Sequence, residues 1–237
     1  MPSRSEWEGE RAVRVPAGPV LLDGNLSVPE DAIGIVLFAH GSGSSRHSPR
    51  NRAVASELQA GGLATLLLDL LTPEEEAVDE QTAELRFDIT LLAKRLVDVT
   101  RWLTEEARTR KLPVGYFGSS TGGGAALVAA AALPGDVRAV VSRGGRPDLA
   151  GPALSGVKAP TLLIVGGDDT TVLALNREAL ERIPAEKELA IIPHATHLFP
   201  EPGALAEVAR LASEWFQRHL AGEVPRRMAR REFTETS

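Results

Sequence analysis

Short apolar runs alternate along the chain with longer stretches in which apolar residues recur every three or four positions. That alternation predicts parallel strands joined by crossover helices. Residues 34–38, 63–69, 113–118, 137–142, 161–165 and 188–192 read as strands. Helical spacing fills the gaps: 51–60, stopped by Gly61-Gly62; a segment in which Ile89, Leu92, Leu96, Val99 and Leu103 form one inner stripe; the Ala-rich 121–133; and 173–183. Leu205, Val208, Leu211 and Trp215 predict a closing helix packed on the sheet. Two earlier runs, 12–15 and 19–28, are separated by Pro16 and Gly18 and predict an antiparallel leading edge, while 70–87 reads as a long acidic connection. Six parallel-type strands with crossovers place helices on both faces of one sheet. No repeat or linker divides the 237 residues. One α/β domain is therefore expected over 1–237, with its core at about 12–220 and a C-terminal tail at 221–237. The Pro- and Gly-punctuated connection at 144–160 is too short for an independent cap domain.

Composition narrows the function. A 43 % hydrophobic, 24 % charged chain supports a globular core, and no apolar run approaches the ~18 residues of a membrane span. Residues 1–10 lack the apolar centre of a secretory signal, so the cytoplasm is the expected location. A net charge of −6 gives no overall attraction for nucleic acid or an anionic membrane. Arg226, Arg227, Arg230 and Arg231 are a local exception, partly cancelled by Glu223, Glu232 and Glu235, and read as a solvated tail. The absence of cysteine excludes disulfides, Cys-ligated metals and a thiol nucleophile.

Gly118-Ser119-Ser120-Thr121-Gly122 lies where a predicted strand gives way to a helix and fits G-x-S-x-G in one register, with Ser120 central. A reversal this sharp strains the central residue and exposes its hydroxyl, and the glycines let backbone approach without a Cβ clash. The alternative is a structural turn in which Ser120 caps the helix. A serine nucleophile needs a histidine held by an acid, in the chain order Ser, acid, His. Asp168 and Asp169 both follow the strand ending at Val165, and Asp148 is a further candidate after the strand before it. His197 is preferred as the base, because His194 sits only two residues beyond the predicted strand end at Ile192. All these positions fall at the carboxyl ends of strands, where open α/β sheets bind ligands. The backbone amides of Thr121 and Ser42 are the expected oxyanion donors, Ser42 lying in His40-Gly41-Ser42-Gly43 just after the first central strand. His40 reads as a loop anchor, His47 as either lining the site or exposed, and His219 as surface or satisfied core.

The set H-G-S-G, G-S-S-T-G, G-G-D-D-T-T-V and H-A-T-H-L-F resembles the α/β-hydrolase superfamily and, within it, the small capless dienelactone hydrolase-like branch. The resemblance runs over about 12–220 and implies an eight-stranded, mostly parallel sheet. It also implies Ser120, Asp169 and His197 as the triad, preferring Asp169 through a G-x-x-D-x-x-V pattern. The chain departs from that branch in two places. The usual cysteine nucleophile is replaced by serine, which favours a carboxylesterase over the dienelactone reaction, and the usual glycine near position 194 is His194. The expected substrate is a small-molecule ester, with lactones or thioesters as variants and acyl transfer or peptide hydrolysis open to the same residues.

Arg143 and Arg146, in S-R-G-G-R after a strand, are candidates to hold a carboxylate or phosphate of the substrate, against a reading in which each pairs with a loop acid. Glu74, Glu75, Glu76, Asp79 and Glu80 either rim the entrance or form a solvated face. No metal or organic cofactor is expected. Monomer and homodimer are both compatible with the sequence. A nucleotide-binding reading lacks G-x-x-x-x-G-K-[ST], and a non-catalytic module on the same fold is the remaining rival.

Overall fold

The computed structural model describes residues 9–221. Eight strands make one sheet: β1 (Arg11–Ala17), β2 (Val20–Ser27), β3 (Ile35–Ala39), β4 (Ala64–Leu68), β5 (Val114–Ser119), β6 (Val137–Arg143), β7 (Thr161–Gly166) and β8 (Lys187–Ile192). Their spatial order is β1-β2-β4-β3-β5-β6-β7-β8. β2 runs antiparallel to β1 and to β4, and every other pairing is parallel. The leading antiparallel edge and the six parallel strands are as the apolar pattern predicts. β3, β4, β5 and β7 are buried along their whole length, as parallel strands covered on both faces must be.

Among the described residues six α-helices flank them: α1 (Pro49–Ala60), α2 (Pro73–Thr82), α3 (Ile89–Glu105), α4 (Thr121–Ala132), α5 (Thr170–Arg182) and, after the last strand, α6 (Ala204–Leu220). Leu92, Leu96, Val99 and Leu103 of α3 join Ala125, Ala126, Ala129 and Ala130 of α4 in the core on one face of the sheet. Val54 and Leu58 of α1 meet Val208, Trp215 and Phe216 of α6 on the other. The alanines let α4 lie close to the sheet, and the large side chains of α6 fill the opposite layer.

The structure corrects the acidic connection expected at 70–87. Most of it is α2, followed by a 3₁₀ turn at Leu85–Phe87. Thr72 Oγ1 accepts from the Glu75 amide while the Glu75 carboxylate accepts from the Thr72 amide, and Pro73 stands at the first helical position. Glu74, Glu75 and Glu76 occupy the first turn, where the helix dipole favours them. The 144–160 connection carries 3₁₀ turns over Pro147–Gly156 packed on α4 and α5, and no large cap is present among the described residues. No described helix is long and apolar enough to cross a membrane. Arg226, Arg227, Arg230 and Arg231 lie outside the described residues.

Candidate active site

Ser120 sits between β5 and α4 with φ 50° and ψ −122°, a conformation that costs a residue bearing a Cβ on the order of 1–3 kcal/mol. Neighbouring backbone fixes it there. The Ser120 amide donates to the Arg143 carbonyl at 3.3 Å, and the Ser120 carbonyl accepts from the Gly123 and Arg146 amides at 3.0 Å each. The hydroxyl makes no helix-capping bond, so the turn is not held together by Ser120 as a cap. The flanking glycines are required by space: a Cβ on Gly118 would meet the Gly123 Cα at 2.5 Å, and one on Gly122 the Ala39 carbonyl oxygen at 2.2 Å. Gly122→Ala is therefore expected to cost about 3 kcal/mol, read as a lowered urea midpoint. Gly135→Ala, where a Cβ would meet nothing within 4 Å, is the control and should move the midpoint far less.

Asp169 and His197 come together from the ends of β7 and β8. Asp169 precedes α5 in the N-cap position but makes no cap with its side chain; instead His197 Nδ1 lies 2.7 Å from Asp169 Oδ2. That contact puts the proton on Nδ1 and leaves Nε2 as the acceptor nitrogen. Asp169 is mostly buried and His197 partly exposed, as suits a base that must reach a substrate. Asp168 instead is exposed, and its amide donates to the Ala195 carbonyl at 3.0 Å. Asp148 takes two hydrogen bonds from Arg146 and is not beside the histidine pair.

The His197 loop has its own support. Glu201 Oε1 accepts from the Thr196 amide at 3.0 Å and from the Thr196 hydroxyl at 2.6 Å, and these bonds hold the Glu201 carboxyl below its ordinary pKa. His194 is exposed with φ 58°, so the left-handed backbone that a glycine would adopt freely is retained by a bulkier residue. Ala195 is fully buried beneath the loop.

The Ser42 amide reaches Thr121, although not as a free donor. It donates to Thr121 Oγ1 at 3.0 Å, and the two hydroxyls also lie 3.0 Å apart. Ser42 and Thr121 are thus neighbours across the Ser120 turn, but the Ser42 amide is occupied by the threonine hydroxyl in this conformation. The Thr121 amide, at the first position of α4, has no partner within the helix. His40 is an anchor: Nδ1 donates to the Gly41 carbonyl at 2.9 Å and Nε2 accepts from the Leu70 amide at 3.1 Å. Burial pushes its pKa down, which keeps the ring neutral as those bonds require.

A cavity of about 180 Å³ opens beside this loop, lined by Ser42, Thr121, Leu71, Leu92 and the acidic Glu76 and Glu80 among others. Ser120 and His197 are not part of its lining. Glu76, Asp79 and Glu80 accordingly border a pocket, whereas Glu75 is tied to Arg95. Asp79 is bonded to Arg86, another cavity residue.

The remaining candidates divide. The Arg146 guanidinium donates to Asp148 at 2.8 and 2.7 Å, the pairing with a loop acid that its sequence position also allowed. Arg143 is buried, with no acid paired to it among the described residues. His47 is exposed. His219 rests against Trp215 with ring centroids 4.5 Å apart, 3.6 Å from Glu186, and burial lowers its pKa. Sequence reasoning missed Glu201 and Arg50. The Thr196-to-Glu201 spacing is a short local signal, whereas the charge of Arg50 is brought to bear on Arg143 only by the fold.

The fold is that of an α/β hydrolase, without a large cap among the described residues. The chain belongs to the dienelactone hydrolase family, which matches residues 22–221. It is similar to a crystal structure of dienelactone hydrolase from Anabaena variabilis, at 66 % identity and TM-score 0.88 over 89 % of this chain and 97 % of that one. Est1E from Butyrivibrio proteoclasticus shares the fold at 15 % identity and TM-score 0.74, covering 89 % of this chain and 99 % of Est1E. A curated relative from Mycobacterium tuberculosis, called a putative phosphoribosyl transferase, is 61 % identical over 216 residues, which are 91 % of this chain. The chain spans about half the length of that relative, 48 %.

Proposed function

We propose that this protein is a serine hydrolase that cleaves carboxylic esters of small molecules through an acyl-enzyme, with lactones and thioesters as chemically equivalent substrates. The observation that carries the reading is the 2.7 Å contact of His197 with Asp169 on the same strand-end surface as a strained Ser120. Ser120 Oγ attacks the carbonyl carbon while His197 Nε2 takes its proton. Asp169 holds the Nδ1 proton and stabilises the imidazolium. The Thr121 amide, joined by the Ser42 amide once the Thr121 hydroxyl turns away, receives the oxyanion. Protonation of the leaving alcohol by His197 completes acylation, and water repeats the sequence to release the acid. The hydroxyl takes the place of a thiol because the chain has no cysteine. No metal or organic cofactor enters these steps.

The test is covalent labelling. A fluorophosphonate is expected to add one mass increment to the wild-type protein, mapped to the peptide containing Ser120, with parallel loss of p-nitrophenyl butyrate hydrolysis. A folded wild-type protein that takes no label and turns over no ester would favour the non-catalytic module instead.

A further inference from the structure

The two sides of Ser120 along the sheet carry different groups. Ser120 follows β5; Asp169 and His197 follow β7 and β8 on one side of it, and Ser42 follows β3 on the other. The cavity of about 180 Å³ belongs to that second side. Its wall comes from the loops after β3 and β4, from α2 and α3, and from Ser42 and Thr121, while His197 does not border it. On the ester reading above, the tetrahedral carbon bonded to Ser120 Oγ has three other substituents. Its charged oxygen is received by the Thr121 and Ser42 amides, and its leaving oxygen must reach His197 Nε2 to be protonated. The alcohol therefore extends toward β7 and β8. The acyl group is left to extend past the oxyanion donors toward β3 and β4, into the cavity.

The lining has a definite chemistry. Leu71 and Leu92 supply apolar surface, Leu92 from the buried stripe of α3. Asp69 is paired with Arg46 and Asp79 with Arg86, so these acids are neutralised. Glu76 and Glu80 of α2 have no ion-pair partner among the described residues and give the cavity a net negative charge.

We propose that this cavity is the acyl pocket and that it selects esters of short, uncharged acyl groups, with Leu92 and Leu71 limiting the chain length and Glu76 and Glu80 excluding a chain that ends in a carboxylate; this rests on the ester reading above. The volume sets the scale. An apolar cavity of about 150 Å³ holds one benzene ring, so this one holds an acyl chain of about six carbons. A terminal carboxylate on such a chain would stand beside two like charges within the cavity, where salt screens their repulsion less than it would on an open surface.

Three comparisons test this. In a series of p-nitrophenyl esters from acetate to decanoate, kcat/KM is expected to rise to about six acyl carbons and then to fall, by about tenfold at the long end. Butyrate esters of methanol, butanol and octanol should show no such limit. Leu92→Phe should move the fall to shorter chains and Leu71→Ala to longer ones; Leu71 is only half-buried, which keeps the test decisive if Leu92→Phe does not fold. At equal chain length, p-nitrophenyl pentanoate should exceed mono-p-nitrophenyl glutarate about tenfold in kcat/KM, and the gap should narrow in Glu76→Gln/Glu80→Gln. A limit that follows the alcohol, or a length profile unmoved in the folded variants, overturns the pocket. A preference for the glutarate, or a gap that the double variant leaves unchanged, overturns the exclusion of anionic chains. In each of these cases a wild-type protein that cleaves esters and takes the fluorophosphonate label retains the ester reading, whereas a folded wild-type protein that does neither overturns that reading and the pocket with it.

Discussion

Ser120→Ala is expected to lower ester turnover by about 10⁴-fold or more, with the fold unchanged. The substitution removes the atom that the proposed mechanism asks to attack the ester carbonyl in acylation. Alanine retains the Cβ, so it adopts φ 50° under the same strain as serine, and the lost hydroxyl leaves no helix cap broken. Thermal stability should accordingly stay close to wild type, which separates this loss from misfolding. The residual rate has a physical source: the Thr121 amide still faces the developing oxyanion, and His197 can activate water directly. Steady-state hydrolysis of short p-nitrophenyl esters beside thermal melts of both proteins checks the result. A rate within tenfold of wild type would remove Ser120 from the mechanism.

The parallel core was legible because burial on both faces leaves a continuous apolar run: Ile35-Val36-Leu37-Phe38-Ala39 and Thr161-Leu162-Leu163-Ile164-Val165 admit no solvent face. α2 was obscured for the opposite reason. Its sequence, PEEEAVDEQT, has almost no apolar stripe, and Asp79 is its only buried residue, so periodicity finds nothing there. The information lay in its start instead, in Thr72, Pro73 and Glu75, a capping box with proline at the first position.

At the site, the G-x-S-x-G register singled out Ser120 because steric need and sequence coincide at Gly118 and Gly122. Asp168 and Asp169 were not separable from their residues alone, since both follow β7 directly. The turn separates them in space by directing one carboxylate at His197 while leaving the other exposed. Arg146 and Asp148 stand two positions apart, so their pairing is a local event that the sequence contained. The hydrogen bond from Ser119 to Asn51 joins residues 68 positions apart and exists only after α1 has docked on the sheet.

That separation of the two aspartates has a large kinetic consequence. Asp169→Asn is expected to lower kcat by about 10⁴ near neutral pH, while Asp168→Asn stays within a few-fold of wild type. The reason is the tautomer. Asp169 accepts the Nδ1 proton of His197 across 2.7 Å and thereby leaves Nε2 unprotonated. An asparagine of the same shape can place its amide nitrogen there, donate to Nδ1 and shift the proton to Nε2. The ring then stays in position but has no lone pair to take the serine proton, and no carboxylate balances the imidazolium that acylation would create. Stability changes little, because Asp169 makes no side-chain cap on α5 that the amide would lose. Fluorophosphonate labelling of Asp169→Asn should slow without vanishing, since Ser120 is intact, and this distinguishes a base in the wrong protonation state from a missing nucleophile. The two asparagine variants are compared by kcat, labelling rate and thermal melting under one buffer. If Asp168→Asn shows the larger fall, the acid has been assigned to the wrong side chain and His197 is oriented by some other group.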